Sequence, residues 1–307
     1  SAFHVGRHAV EAGTPGIVST GNDPIKEDDL YECWWYGGPV EHRQAGKAHI
    51  AECGDFAVIV MQVADAEPGD FRAVTRELYV ELLAAVSRTG HPNTVRFWNY
   101  FSNINLGEGD AEKYRQFSIG RAEAFEACGI TDEVVPAATG IGSARDSDFT
   151  VIAHASKHDF HNVENPRQVS AYHYPRDSGP RSPMFSRAGC VSVNGQQLLL
   201  ISGTAAIIGH ESMHAGNVEL QCEEMLNNLR KLSEALAEVG QIEAGAILEA
   251  QSTGRVYIRD PSDVEYVKAR VEEFLGGSSD TVAYLHADIC RRELQIEIDA
   301  AKFAGPV

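Results

Sequence analysis

The strongest constraint on this chain is that its two halves repeat one order of elements. In the first half the apolar run 56–63 reads as a buried strand. An amphipathic helix over 70–89 follows, ended by Gly90 and kept from continuing by Pro92. Residues 94–104 give a second strand, 110–128 a second helix stopped by Gly129, and 149–155 a third strand. In the second half, 190–194 and 197–207 form a hairpin turned at Asn194-Gly195. Asn217 can cap a helix over 218–239, which Gly240 ends. A strand over 244–259, a helix over 261–275 and a closing strand pair complete the chain. This repetition predicts an α+β fold of two pseudo-repeated mixed sheets, each with helices packed on one face. An N-terminal domain with an extension would span 1–160 and a C-terminal domain 161–307, sizes that 307 residues allow.

The closing pair, 282–289 and 294–300, is joined by Cys290-Arg291-Arg292-Glu293. In its second strand Leu294, Ile296 and Ile298 point one way, and Gln295, Glu297 and Asp299 the other. A carboxylate in mid-strand is costly unless it is exposed, paired or working. Glu297 is therefore either part of a solvated face or a functional group. Between the halves, residues 163–187 hold Arg167, Arg176, Arg181 and Arg187, with Tyr172, Tyr174 and four prolines. Guanidinium forks beside tyrosine hydroxyls on a stiff path suit a carboxylate ligand.

A formal net charge of −18 disfavours nucleic acid and anionic membranes, which need a basic footprint. A small anion remains compatible, because salt screens a distant acidic surface over about 10 Å. No apolar run reaches the length of a membrane span and the first thirty residues do not read as a signal peptide, so a cytoplasmic location is expected. Six cysteines without C-x-x-C spacing disfavour a disulfide framework and a thiolate zinc site. His210-Glu211-Ser212-Met213-His214 matches H-E-x-x-H, but that chemistry needs both histidines on one helical face. Here Gly209 and Gly216 bracket the motif, and the helix starts only after Asn217. Of His154, His158 and His161, strand parity aligns only the first two, so no metal site is expected. Gly140-Ile141-Gly142 reads as a tight turn, and Ser202 as a strand-end residue in a chain without G-x-S-x-G.

The stretch 187–207, the following helix with Gln221 and Asn227-Asn228-Leu229, and the closing I-E-I-D resemble the RidA/YjgF superfamily, whose fold is also described as chorismate mutase-like. More specifically, F-W-N-Y (97–100), Y-R-Q-F-S-I-G-R-A-E-A-F (114–125), E-N-P-R-Q-V-S-A-Y-H-Y-P-R (164–176), G-P-R-S-P-M-F-S-R-A (179–188) and A-D-I-C-R-R-E-L-Q-I-E-I-D (287–299) resemble the chorismatases. The resemblance implies an enzyme without metal or organic cofactor that releases pyruvate from chorismate. It implies that Glu297 is the general acid, with a carboxyl pKa raised by burial. Tyr172, Tyr174, Arg176 and Arg187 are the implied ligands of the substrate, with Arg167, Arg181 and Arg121 as further candidates. Cys290 and Gly203 match the branches that form 3-hydroxybenzoate, alone or mixed with 4-hydroxybenzoate; a sister branch hydrolyses the ether to a dihydroxycyclohexadiene carboxylate. Ser178 and Gln295 depart from the family pattern, and Val282 stands near the place of the arginine that RidA deaminases use. An enamine/imine deaminase and a metabolite-binding module are the other readings. A monomer with the cleft between its halves is expected, with a RidA-like trimer as the alternative.

Overall fold

The computed structural model describes residues 2–6, 17–25, 29–34, 38–131, 135–242, 253–277 and 281–304. Four short strands come first: β1 (Ala2–Gly6), β2 (Ile17–Ser19), β3 (Asp23–Pro24) and β4 (Asp29–Cys33). β1 pairs with β2 and β4 in a small sheet, while β3 joins the edge of a larger one.

The first large sheet holds β5 (Glu41–Ala45), β6 (Ala48–Cys53), β7 (Phe56–Val63), β8 (Asn93–Ser102), β9 (Ala137–Ser143) and β10 (Phe149–Ser156). Helices α1 (Pro68–Val86) and α2 (Lys113–Cys128) lie between these strands in sequence. The spatial order is β5-β6-β7-β10-β8-β9, with β8 and β9 parallel. The second sheet holds β11 (Phe160–Val163), β12 (Ala188–Val193) and β13 (Gln196–Ala205). A two-stranded ladder of β14 (Ile207–Ile208) and β15 (Glu211–Ser212) precedes α3 (Val218–Gly240). β16 (Thr253–Ile258), α4 (Val264–Phe274), β17 (Val282–His286) and β18 (Ile296–Ala304) follow. Its order is β11-β12-β13-β18-β16-β17-β3, with β16 and β17 parallel. Hairpin, helix, strand, helix, parallel strand and inserted last strand recur in both halves.

One expectation fails. β17 and β18 do not pair, because the crossover through α4 lays β17 parallel on the outer side of β16. The chain then returns and inserts β18 between β13 and β16. Of the strand expected over 244–259, residues 253–258 are strand; 243–252 lie outside the described residues. Gly140-Ile141-Gly142 is likewise no turn but part of β9. Gly142 N–H donates to Asp288 O at 2.8 Å, and a Cβ there would stand 2.7 Å from Asp288 Cβ, so the approach needs glycine.

The helices cover the outer face of each sheet. α1 and α2 bury Phe71, Leu82 and Phe117 against Ile59 and Phe97, and α3 and α4 bury Leu229, Leu232 and Val267 against Leu199 and Ile296. The inner faces meet across Val58, Trp98 and Ile152 from the first sheet and Tyr257, Leu285 and Leu294 from the second. Leu294 thus packs inward while Ile296 and Ile298 face α3. Strand parity begins only at Ile296, because residues 294–295 precede the extended segment. Glu297 and Asp299 point into the layer between the sheets, where they are 4% and 1% exposed, and the solvated-face reading falls.

Polar ties cross that layer. Asp299 lies 3.1 Å from Arg255, accepts from Tyr257 at 3.1 Å, and is 3.4 Å from Arg96 of the opposite sheet. The Arg96 and Arg255 guanidinium groups stand 4.6 and 4.7 Å from the centroid of Trp98, which also meets Trp34 and His154 edge-on or tilted. Trp98→Ala should therefore destabilise the protein by about 3–5 kcal/mol, from the cavity it leaves and the lost contacts with two cations. A urea titration followed by circular dichroism checks this; a loss under about 1 kcal/mol would deny Trp98 that role.

Candidate active site

The site grows from an irregularity in the central pair of the second sheet. Ile201 pairs with Ala300 and Thr204 with Ile298, so Ser202 and Gly203 bulge opposite Asp299. Main-chain and hydroxyl bonds fix the bulge to the first half. Ser202 Oγ donates to Ser186 O at 2.6 Å and accepts from Ala138 N at 2.9 Å, and Gly203 N–H donates to Thr139 Oγ1 at 3.0 Å. Ser202 is fully satisfied and is no nucleophile. The space at Gly203 is taken by Glu297: a Cβ there would run into Oε1 and stand 2.8 Å from Cδ. Glycine is required at this point by the carboxyl group beside it.

Burial pushes the Glu297 carboxyl up to about 8, and the neighbouring Asp299 adds to the shift. Arg96, a hydrogen bond from Cys290 and the Arg187 charge oppose it without cancelling it. The Cys290 Sγ–H donates to Glu297 Oε2 at 3.8 Å. Burial and the Glu297 charge both push that thiol upward, so it stays protonated. Tyr114, half-buried here, is held as the neutral phenol mainly by desolvation.

These groups line a cavity of about 690 Å³ between the halves of the chain. α2 supplies Tyr114, Arg115 and Arg121; β9 supplies Thr139; the connection supplies Tyr174 and Arg187; the turn after β17 supplies Cys290, Arg291 and Arg292. Among the described residues, Arg121, Arg187 and Arg291 have no carboxylate within ion-pair distance. Arg121 lies over the Phe117 ring at 4.8 Å. Arg187 Nη2 donates to Tyr174 Oη at 2.5 Å and to Val169 O at 3.0 Å. Arg291 Nη1 donates to His210 O at 2.9 Å and Ser212 Oγ at 3.0 Å. The Tyr174 ring centroid stands 5.4 Å from the Arg187 guanidinium and 5.5 Å from that of Arg291. Arg115 and Arg292, in contrast, reach Glu112 at 3.5 and 3.8 Å.

The structure thus brings together Glu297, Cys290, Gly203, Tyr174, Arg187 and Arg121. Four other candidates stand outside the cavity. Arg176 pairs with Asp110 and Arg181 with Glu126, both with exposed side chains. Arg167 is held by Glu224 and by Asn228 Oδ1 at 2.9 Å, and Tyr172 packs edge-on against His173 at 4.7 Å. Acidic neighbours on other elements neutralise these three arginines, which density of arginine along a loop does not reveal. Sequence reasoning passed over Arg291, read as part of a polar turn, and Arg96, a charge inside the apolar run T-V-R-F-W. The rule that singled out Glu297, a charge in mid-strand, would have found Arg96. His210–His214 lies on a two-residue strand and a turn, with His214 at φ 54°, and not on a helix. Among the described residues no three His, Cys, Asp or Glu side chains gather at metal-binding distance.

Comparison with known proteins adds independent support. Residues 32–155 match the family model for the N-terminal part of FkbO/Hyg5-like chorismatases. A chorismatase of Streptomyces rapamycinicus is 36% identical over 280 residues, covering 89% of this chain and 83% of that protein. A 3-hydroxybenzoate synthase of Streptomyces hygroscopicus is 36% identical over 278 residues, covering 87% of this chain and 80% of that protein. A crystal structure of a chorismatase superimposes with a TM-score of 0.84 at 30% identity, covering 99% of this chain and 92% of that one. With this identity over most of its length, and a match of the whole fold, the chain is an enzyme of the chorismatase family.

Proposed function

We propose that this enzyme cleaves the enolpyruvyl ether of chorismate and releases pyruvate with 3-hydroxybenzoate. The observation that carries the reading is a buried carboxyl group, which desolvation favours in its protonated form, at the wall of a cavity lined by three arginines that have no carboxylate within ion-pair distance among the described residues. Chorismate has one carboxylate on its ring and one on the enolpyruvyl group. Arg187 and Arg291, both beside the Tyr174 ring, together with Arg121 suit a dianion of that kind.

Glu297 gives its proton to the methylene carbon of the enolpyruvyl group. The double-bond pair forms the new C–H bond and leaves an oxocarbenium-like carbon on the ether. The ring C–O bond then breaks, its electron pair moves to the ether oxygen, and pyruvate departs as the ketone. As the ring hydroxyl shifts, the ring loses a proton and becomes aromatic. Cys290 relays that proton: the thiol donates to the Glu297 carboxylate while its sulfur takes the ring hydrogen, and both groups return to their starting state. No water is consumed, whereas the sister route adds one water to the ether carbon. Gly203 leaves the carboxyl its place beside the ring.

Glu297→Gln should abolish pyruvate release, to below about one hundredth of the parent rate, because the amide carries no acidic proton. Substrate affinity by isothermal titration should persist. Retention of a tenth of the activity would remove Glu297 from this role. Cys290→Ala should divert product from 3-hydroxybenzoate toward the hydrolysed diene, read by chromatography beside a pyruvate assay; an unchanged product ratio returns Cys290 to packing alone.

The pH dependence has a definite sign. The working form of Glu297 is the protonated one, so kcat/KM should be flat below the folded-state value and fall as pH rises through about 8. Because that value exceeds the ordinary 4.5, the native state binds more protons than the unfolded chain in this window. This group's contribution to stability therefore declines as pH rises from about 4.5 to about 8. A pyruvate-coupled assay across pH checks the limb, and activity that instead rises through this range would contradict the acid role.

A further inference from the structure

Arg96 is a fully buried cation paired with Asp299. Its Nη2 lies 3.4 Å from Asp299 Oδ2 and also donates to Thr139 Oγ1. Thr139 Oγ1 accepts the Gly203 N–H at 3.0 Å, and Gly203 is the residue whose missing Cβ accommodates the Glu297 carboxyl. Arg96 therefore stands one hydroxyl group away from the residue that Glu297 packs against. Its Nε and Nη1 have no hydrogen-bond partner among the described residues. A buried guanidinium with spare donors favours an anion at the nearest carboxyl group.

Asp299 shares a strand face with Glu297 and accepts two hydrogen bonds. Arg255 Nη1 donates to Oδ1 at 3.1 Å and Tyr257 Oη–H donates to Oδ2 at 3.1 Å, while Arg96 adds an ion-pair contact at 3.4 Å. The Tyr257 hydroxyl is itself 3.2 Å from that of Tyr100. Asp299 is thus placed as the counter-ion of Arg96.

We propose that Asp299 is a positioning residue for the reaction: as the counter-ion of Arg96, it keeps that cation from drawing the proton off Glu297. This rests on the reading of Glu297 as the general acid. Other groups face Glu297 as well: Cys290 and Arg291 from the turn, Arg187 from the connection, Tyr114 and Arg121 from α2, and Tyr257 and Arg255 from β16. Removing Asp299 leaves all of these in place, takes the partner from Arg96 and also removes the Asp299 charge that itself disfavours a Glu297 anion. Removing Arg96 instead takes away the cation, while Arg255 still pairs with Asp299. The two changes should act on the proton of Glu297 in opposite directions.

The test is the pH profile of kcat/KM for pyruvate release by the parent, Asp299→Asn, Arg96→Gln and the double variant. Asn keeps an acceptor for Tyr257, and Gln keeps an amide donor for Thr139. Asp299→Asn should move the alkaline limb down by about one to three pH units and lower activity tenfold or more at neutral pH. Arg96→Gln should move the limb upward, and the double variant should return it near the parent position. Lowered activity with the limb unmoved in both single variants would overturn the proposal and leave these residues a structural role only. Should Asp299→Asn fail to fold, the direction of the Arg96→Gln limb decides alone. An infrared titration of the protonated carboxyl band, assigned by its loss in Glu297→Gln, reports the same shift without substrate. If the parent released no pyruvate while that band still titrated near pH 8 and moved as stated, the functional reading would fail and the ion-pair arrangement would stand.

Discussion

A carboxyl group buried between two packed sheets must be paired, or give up its charge, and the architecture around Glu297 is the second solution. Each half of the chain covers its outer face with helices, which leaves two inner faces that can be buried only against one another. β18 is inserted in the middle of its sheet, so its inward residues Glu297 and Asp299 are almost wholly buried. The bulge at Ser202-Gly203 then opens the volume that the carboxyl occupies, and β9 of the other half pins the bulge through Ala138 and Thr139. Loosening either half would admit water to the carboxyl group, restore its ordinary acidity, and remove the reason for its burial.

The repetition of the halves also shows why the first half, among the described residues, carries no acid at the corresponding position. The inward residue at the start of β10 is Thr150, whose hydroxyl accepts from Gln62 Nε2 at 3.0 Å. At the start of β18 the inward residue is Glu297. The first half therefore keeps the fold with a neutral, satisfied pair where the second carries an acid. Its inner face serves as the lid of the other half's site, and its helix α2 brings Arg121 and Tyr114 to the cavity.

Much of this was legible in sequence, for identifiable reasons. The helices of both halves follow from apolar period and from Gly and Asn punctuation, and the structure keeps them to within a few residues, whereas β5, β6, β9 and β11 lie where no strand is expected. The pairing of the last strands was not legible, because period shows a strand's faces and not its neighbours. Glu297 stood out because a charge inside an apolar strand needs an explanation, and Arg96 and Arg255 carry the same signal. The connection 163–187 was legible only in part. Its arginines look alike in sequence, yet Arg176 and Arg181 meet Asp110 and Glu126 of the first half at the surface, while Arg187 turns inward beneath Tyr174. Which of several arginines is neutralised depends on elements far away in the chain.

The unpaired arginines show how affinity and stability trade in this fold. A chain with a formal net charge of −18 has acid to spare, yet Arg121, Arg187 and Arg291 face the cavity with rings, hydroxyls and main-chain carbonyls as partners. Pairing each with a carboxylate would relieve their mutual repulsion and stabilise the empty protein. It would also oblige a dianionic ligand to displace those carboxylates, losing the gain it makes on binding. Leaving the cations unpaired places the unfavourable electrostatics in the empty state, where binding removes it. Asp299 applies the opposite arrangement a few ångströms deeper. There a cation left unpaired would oppose the neutral carboxyl, so Arg96 is given a permanent partner while the arginines at the cavity wall are kept for the ligand.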